Sequence, residues 1–153
     1  MRALVVTALA LALAGCATID VYHYQPKPLP AGSQPLAVVA WSLQDLRNVS
    51  WSYGEPDPDP SRRATLEATP NGVVAASRLA VLQGSPLDIS YQEIAAGVRM
   101  VTESAGSWTV YLYDHQNRLI QMEFASYAAA RLFLDASTVL ASMPSVEVAT
   151  IKN

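Results

Sequence analysis

Few residues in this chain have side chains suited to chemistry. Its single cysteine is Cys16, and its two histidines are His23 and His115. With one thiol there is no intrachain disulfide to form, so Cys16 is available for reaction at sulfur. Asp114 precedes His115, but neighbouring turn residues point apart and are polar because turns are solvated, so the pair is read as a turn and not as an acid–base couple. No Gly-x-Ser-x-Gly elbow, His-Glu-x-x-His helix or phosphate-gripping glycine loop is present. The run Glu55-Pro56-Asp57-Pro58-Asp59-Pro60 offers oxygens that suit Ca²⁺. Its spacing lacks the mid-loop Gly and later Glu of an EF-hand loop, and it is read as a solvated acidic loop. The residues therefore assign no catalytic group, no metal and no cofactor.

Cys16 stands out by its surroundings. Met1-Arg2 is a minimal positive start, and Ala3 to Leu13 is apolar or small apart from Thr7. As a helix that run would span roughly 17 Å, too short for the about 30 Å hydrocarbon core of a bilayer. It matches the hydrophobic region of a secretory signal. The run ends in Leu13-Ala14-Gly15-Cys16, which resembles the lipobox of bacterial lipoproteins. The resemblance implies a signal peptide over residues 1–15, with Leu13, Ala14 and Gly15 read by the signal peptidase and cleavage between Gly15 and Cys16. It also implies a diacylglyceryl group on the Cys16 sulfur and a further acyl chain, such as palmitate, on the new amino terminus. Small residues before the cut let the peptidase hold extended backbone beside the lipid. Each buried methylene contributes about 0.8 kcal/mol, so two or three chains anchor far more firmly than one. In the enteric pattern Asp after the lipidated Cys favours the inner membrane. Here Ala17 follows, which implies the periplasmic face of the outer membrane.

The elements that would stand on this anchor follow from charge and periodicity. Without Arg2 the chain carries nine basic against 13 acidic residues, which argues against a nucleic-acid surface and against a polybasic membrane patch. Residues 16–35, with Pro26, Pro28, Pro30 and Pro35, read as a tether. Tyr22, His23 and Tyr24 within it would lie at lipid headgroups or pack back on the domain. One domain is expected over 36–143, followed by a tail over 144–153. Ala37, Val39, Trp41 and Leu43 alternate with Val38, Ala40 and Ser42, and Val49, Trp51 and Tyr53 with Asn48, Ser50 and Ser52. These runs predict a first antiparallel strand pair. Ala64, Leu66 and Ala68 face inward before the turn Pro70-Asn71-Gly72 and Val73-Val74, a second hairpin. Val73 to Leu82 fits either strand or short helix. Leu87 to Tyr91 reads as a strand, and Ser90-x-x-Glu93 as a capping box for one helical turn to Ala96.

The clearest pattern lies in the last third. Trp108, Val110 and Leu112 alternate with Thr109, Tyr111 and Tyr113; after the turn Asp114 to Asn117, Ile120, Met122 and Phe124 alternate with Leu119, Gln121 and Glu123. Ser126 is placed as N-cap of a helix to about Ser142, ended by Pro144. Its inner face is Ala129, Leu132, Phe133, Ala136, Leu140 and Met143, and its outer face Arg131, Asp135, Thr138 and Ser142. Trp41, Trp51 and Trp108 are assigned to the core. The expected class is α+β, mainly antiparallel β: a sheet or partly open barrel with one C-terminal amphipathic helix.

Between Ala64 and Met143 the segment Ile89-Ser90-Tyr91-Gln92-Glu93-Ile94 and the group Phe124-Ala125-Ser126, Ala130 and Phe133 resemble the pleckstrin-homology-like barrel superfold. That resemblance implies a helix over one barrel opening and a lipid- or peptide-binding role. Its phosphoinositide members use basic residues where this chain has Glu55 to Asp59, so that ligand is not carried over. If Trp108, Val110 and Leu112 fill the core, Tyr111 and Tyr113 face outward as a candidate partner-binding pair, unless the tail alternation of Val146 and Val148 with Glu147 and Ala149 covers them. The leading expectation is a non-catalytic, membrane-anchored binding or assembly-support module with an envelope protein partner. Its rivals are an enzyme with a dispersed site and a lipid carrier or sensor with an apolar cavity.

Overall fold

The computed structural model describes residues 20–52, 66–75, 87–97, 99–102 and 106–144. Residues 1–19, with Cys16 and the expected leader before it, the Glu55 to Pro60 run, most of Val73 to Leu82 and the residues beyond Pro144 lie outside the described residues. Among the described residues no helix is long and apolar enough to cross a membrane.

The architecture is α+β with antiparallel strands throughout. Strands β1 (Asp20–Tyr22), β6 (Arg99–Thr102), β7 (Trp108–Tyr113), β8 (Leu119–Phe124) and β2 (Leu46–Ser52) form a five-stranded sheet in that order. Strands β3 (Leu66–Ala68), β4 (Gly72–Ala75) and β5 (Asp88–Ser90) form a second sheet. The helices among the described residues are α1 (Pro35–Leu43), α2 (Tyr91–Ala96) and α3 (Tyr127–Ala141).

The β7–β8 hairpin forms as its alternation predicts, with Trp108 opposite Phe124 and Tyr113 opposite Leu119. Val110, Leu112, Ile120, Met122 and Phe124 are fully buried on its inner face, as is Val49 of β2, which pairs with Met122. The turn is set by Asp114, whose Oδ1 accepts from the Gln116 amide at 2.9 Å and the Arg118 amide at 2.8 Å. Asn117 takes the left-handed backbone at φ 60°, a conformation Asn tolerates better than most residues. Ser126 caps α3 as its sequence position predicts, its side chain accepting from the Ala129 amide at 3.2 Å. α3 buries Ala129, Ala130, Phe133 and Leu134, and it meets the sheet where the Phe124 and Phe133 rings stand 5.5 Å apart. The 66–75 hairpin and the capping box are also present, and in α2 both reciprocal Ser90–Glu93 bonds form.

Three expectations are corrected. Residues 37–43 are helical, in α1, and β2 pairs with β8 instead of with them. Pro35 suits a first helical position, and Leu36, Val39 and Leu43 recur at helical spacing. Because Val38 and Ala40 are apolar too, an alternation over so short a run cannot separate strand from helix. The Ser42 hydroxyl, buried on the inner side, donates back to the Val38 carbonyl at 2.8 Å. Second, the segment read as a tether is already part of the fold from Asp20, because β1 pairs with β6 and Tyr24 and Leu29 pack against the core. Third, Asp135, expected on the outer face of α3, is 3% exposed. The segment after β1 lies over it: Asp135 Oδ1 accepts from the Tyr24 hydroxyl at 2.8 Å and from the Lys27 amide at 2.7 Å.

Candidate functional site

Pairing register sets where Tyr111 and Tyr113 stand. On the face of β7 away from α3, Tyr111 is opposite Gln121 and Tyr113 opposite Leu119. Tyr113 is 49% exposed, whereas Tyr111 is half-buried. Thr109, on the same side, is buried. Tyr113 therefore faces solvent, as the alternation predicts, while Tyr111 is partly covered. Val146 and Val148, which would cover them, lie outside the described residues, as do Cys16 and its recognition residues Leu13, Ala14 and Gly15.

A second surface was not anticipated. Trp41, assigned to the core from sequence, is 52% exposed. Once residues 35–43 coil as a helix, Val39 and Ser42 occupy the buried side and Trp41 falls beside it. It lines a shallow, almost wholly apolar groove of about 390 Å³ with Leu29, Pro30, Ala37, Val38 and Leu132. The signal available in sequence was the helical start at Pro35, which rotates Trp41 away from Val39. A larger groove of about 610 Å³ lies between Leu36, Leu140 and Met143 on one side and Pro70, Asn71 and Tyr91 on the other. The Tyr91 hydroxyl donates to the Thr69 carbonyl at 2.8 Å, and burial pushes its phenol up to about 12.

Polar clusters sit where the hairpin turn meets α2. Glu93 Oε2 accepts from the Ser90 amide and hydroxyl, both at 2.7 Å. Its Oε1 accepts from the His115 amide and lies 2.9 Å from His115 Nδ1. Burial alone would raise the Glu93 pKa, but the hydrogen bonds from Ser90 and His115 outweigh it and hold the carboxyl below its ordinary value. The set of Ser, Glu and His has the residue types of a hydrolase triad in the wrong order. The carboxylate stands between hydroxyl and imidazole, so the imidazole does not face the Ser90 oxygen as it does in a triad. What the cluster does is clamp the β7–β8 turn onto the start of α2. His115 and Asp114 do point apart: Asp114 is buried, with Oδ2 2.5 Å from Arg118 Nε. Among the described residues no group of three or more His, Cys, Asp or Glu side chains is placed to hold a metal.

No family model matches this chain, and no curated protein or solved structure matches it.

Proposed function

We propose that this protein is a lipid-anchored module of the bacterial envelope that binds or supports another envelope protein without catalysing a reaction. The observation that carries the reading is Leu13-Ala14-Gly15-Cys16, set directly after an apolar run of signal-peptide length. Acylation at the chain's one cysteine makes the membrane its permanent partner, and Ala17 after it, in place of Asp, favours the periplasmic face of the outer membrane. The half-exposed Tyr113 supports a protein-binding role, since tyrosine offers apolar area with a polar tip at low entropic cost. The inverted order of Ser90, Glu93 and His115 supports reading that cluster as a brace. The likeness to the pleckstrin-homology-like superfold remains a proposal about lineage and brings no ligand with it.

Two linked measurements test this. An alkyne-bearing fatty acid fed to cells making the protein should label the wild type and not Cys16→Ser, which should also accumulate as precursor. A photo-crosslinking residue at position 113 should give a discrete protein adduct in intact envelopes, and the same residue at Gln92 on α2 should not. Absence of label in the wild type overturns the anchoring, and equal adducts at both positions overturn the Tyr113 interface.

A further inference from the structure

The lipid anchor would meet the fold at a fixed place. Because β1 runs antiparallel to β6, Asp20 lies opposite Thr102, Thr102 opposite Trp108, Trp108 opposite Phe124, and Phe124 opposite Leu46. These residues mark one end of the five-stranded sheet. Even fully extended, the chain from Cys16 to Asp20 reaches only about 14 Å. Tyr113 lies at the other end of β7, about 17 Å away along the strand.

The end at which β1 begins, with Asp20, carries aromatic surface. Trp108 is half-buried, and its ring packs at 4.6 Å from that of Tyr127, which opens α3 and is 41% exposed. Trp41 stands in the last turn of α1, the helix that leads through Asp45 into Leu46. The corner is tied together by Asp45, whose carbonyl accepts from the Ala125 amide at 3.0 Å and whose Oδ2 accepts from the Ser126 hydroxyl at 2.8 Å. Trp and Tyr are the residues favoured at the headgroup layer, where an apolar ring with a polar edge is satisfied on both sides.

We propose that this end of the sheet is a membrane-contact face, resting on the bilayer with Trp108, Tyr127 and Trp41 at headgroup level and leaving Tyr113 toward the periplasm. The inference rests on acylation of Cys16. The occupant is a lipid surface, not a second protein, because the short reach from Cys16 holds this end at the bilayer. The protein has an acidic balance and no basic run beside the anchor, so the contact is made by aromatic and apolar area. Zwitterionic lipid is sufficient.

The test uses the full lipoprotein in phosphatidylcholine vesicles containing lipid brominated near the glycerol end of its acyl chains. The chain has three tryptophans. Forms retaining only Trp108 (W41F with W51F), only Trp41 (W51F with W108F) or only Trp51 (W41F with W108F) are compared. Trp108 and Trp41 fluorescence should be quenched several times more strongly than that of Trp51, which sits opposite Ile120 toward the far end of β2. Equal quenching of all three, or strongest quenching of Trp51, overturns the proposal. Hydrogen exchange of the unsubstituted lipoprotein covers the case in which W108F does not fold. Vesicles should slow the amides of 106–108 and 126–128 and leave those of 115–117 unchanged, and the reverse pattern overturns the proposal. Flotation and the mass of the Cys16 peptide are read in parallel. Acylated protein that floats without this pattern defeats the orientation alone. Protein with a bare Cys16 defeats the anchoring and the orientation with it.

Discussion

Replacing Asp135 by Ala probes the junction between the first strand and the last helix. Asp135 Oδ1 accepts both the Tyr24 hydroxyl at 2.8 Å and the Lys27 amide at 2.7 Å, and its Oδ2 lies 3.9 Å from Arg131 Nε. A hydrogen bond to a charged group contributes about 1.5–3 kcal/mol, and the low end applies because Tyr24 is only partly buried and Lys27 is exposed, so both donors find water once released. Asp135→Ala should therefore cost about 3 kcal/mol. Asp135→Asn should cost about 1 kcal/mol, since both bonds fall on one oxygen that an amide can keep, at the reduced strength of a neutral acceptor. Tyr24→Phe should cost about 1.5 kcal/mol in the wild type and close to nothing in the Asp135→Ala background, a coupling typical of residues in contact. Urea denaturation followed by tryptophan fluorescence measures all four, and amide exchange at Lys27 reports whether residues 23–30 lift off before the rest unfolds. Burial and the Asp135 carboxylate also push the Tyr24 phenol above its ordinary value, so it remains a donor through neutral and moderately alkaline pH. If Asp135→Ala unfolds within about 0.5 kcal/mol of wild type, the level of an unremarkable surface change, the segment is not pinned as described. A Tyr24→Phe cost that is equal in both backgrounds would refute the pinning as well.

Other consequences are equally direct. Phe133→Ala removes a fully buried ring packed against Phe124 and should cost about 3–5 kcal/mol in the same denaturation assay. Gly72→Ala would bring a Cβ to 2.2 Å from the Ile89 carbonyl oxygen, so the β4–β5 pairing must part; circular dichroism should show a loss of about 3 kcal/mol or more. Glu93 has a folded-state pKa below its ordinary 4.5, so its carboxylate stabilises the fold above that pH and the contribution fades as pH falls below it. Glu93→Gln should flatten this acid limb of the stability profile and leave less pH dependence below about 4.5 than wild type shows.

The legible parts of the fold are those in which one face is apolar and the other polar. Trp108 to Phe124 alternates cleanly, and Ser126 to Ser142 has a capped, one-sided apolar face, so the hairpin and α3 could be placed to within a residue. The capping box at Ser90 and Glu93 was legible for the same reason, as a local bond between nearby residues. α1 was not, because Leu36 to Leu43 is apolar on every side but Ser42, and period gives no contrast there. Asp135 was misplaced because its burial comes from Tyr24 and Lys27, more than a hundred residues earlier, and no local pattern announces so distant a cover. Trp41 followed from the α1 error, since the helical turn that buries Val39 carries the indole to the surface. The Glu93–His115 contact joins elements through the fold and leaves no mark in spacing. Of the candidate surface, Tyr113 was legible from alternation alone, and the Trp108–Tyr127 contact emerged only when helix and sheet ends were brought together.

The most direct test of lipid anchoring is mass spectrometry of the amino-terminal peptide of the protein purified from membranes of the cells that make it. That peptide should begin at Cys16, with a diacylglyceryl group on its sulfur and an acyl chain on its amino group. A peptide beginning elsewhere, or beginning at Cys16 with an unmodified thiol, would contradict the anchoring and everything built on it.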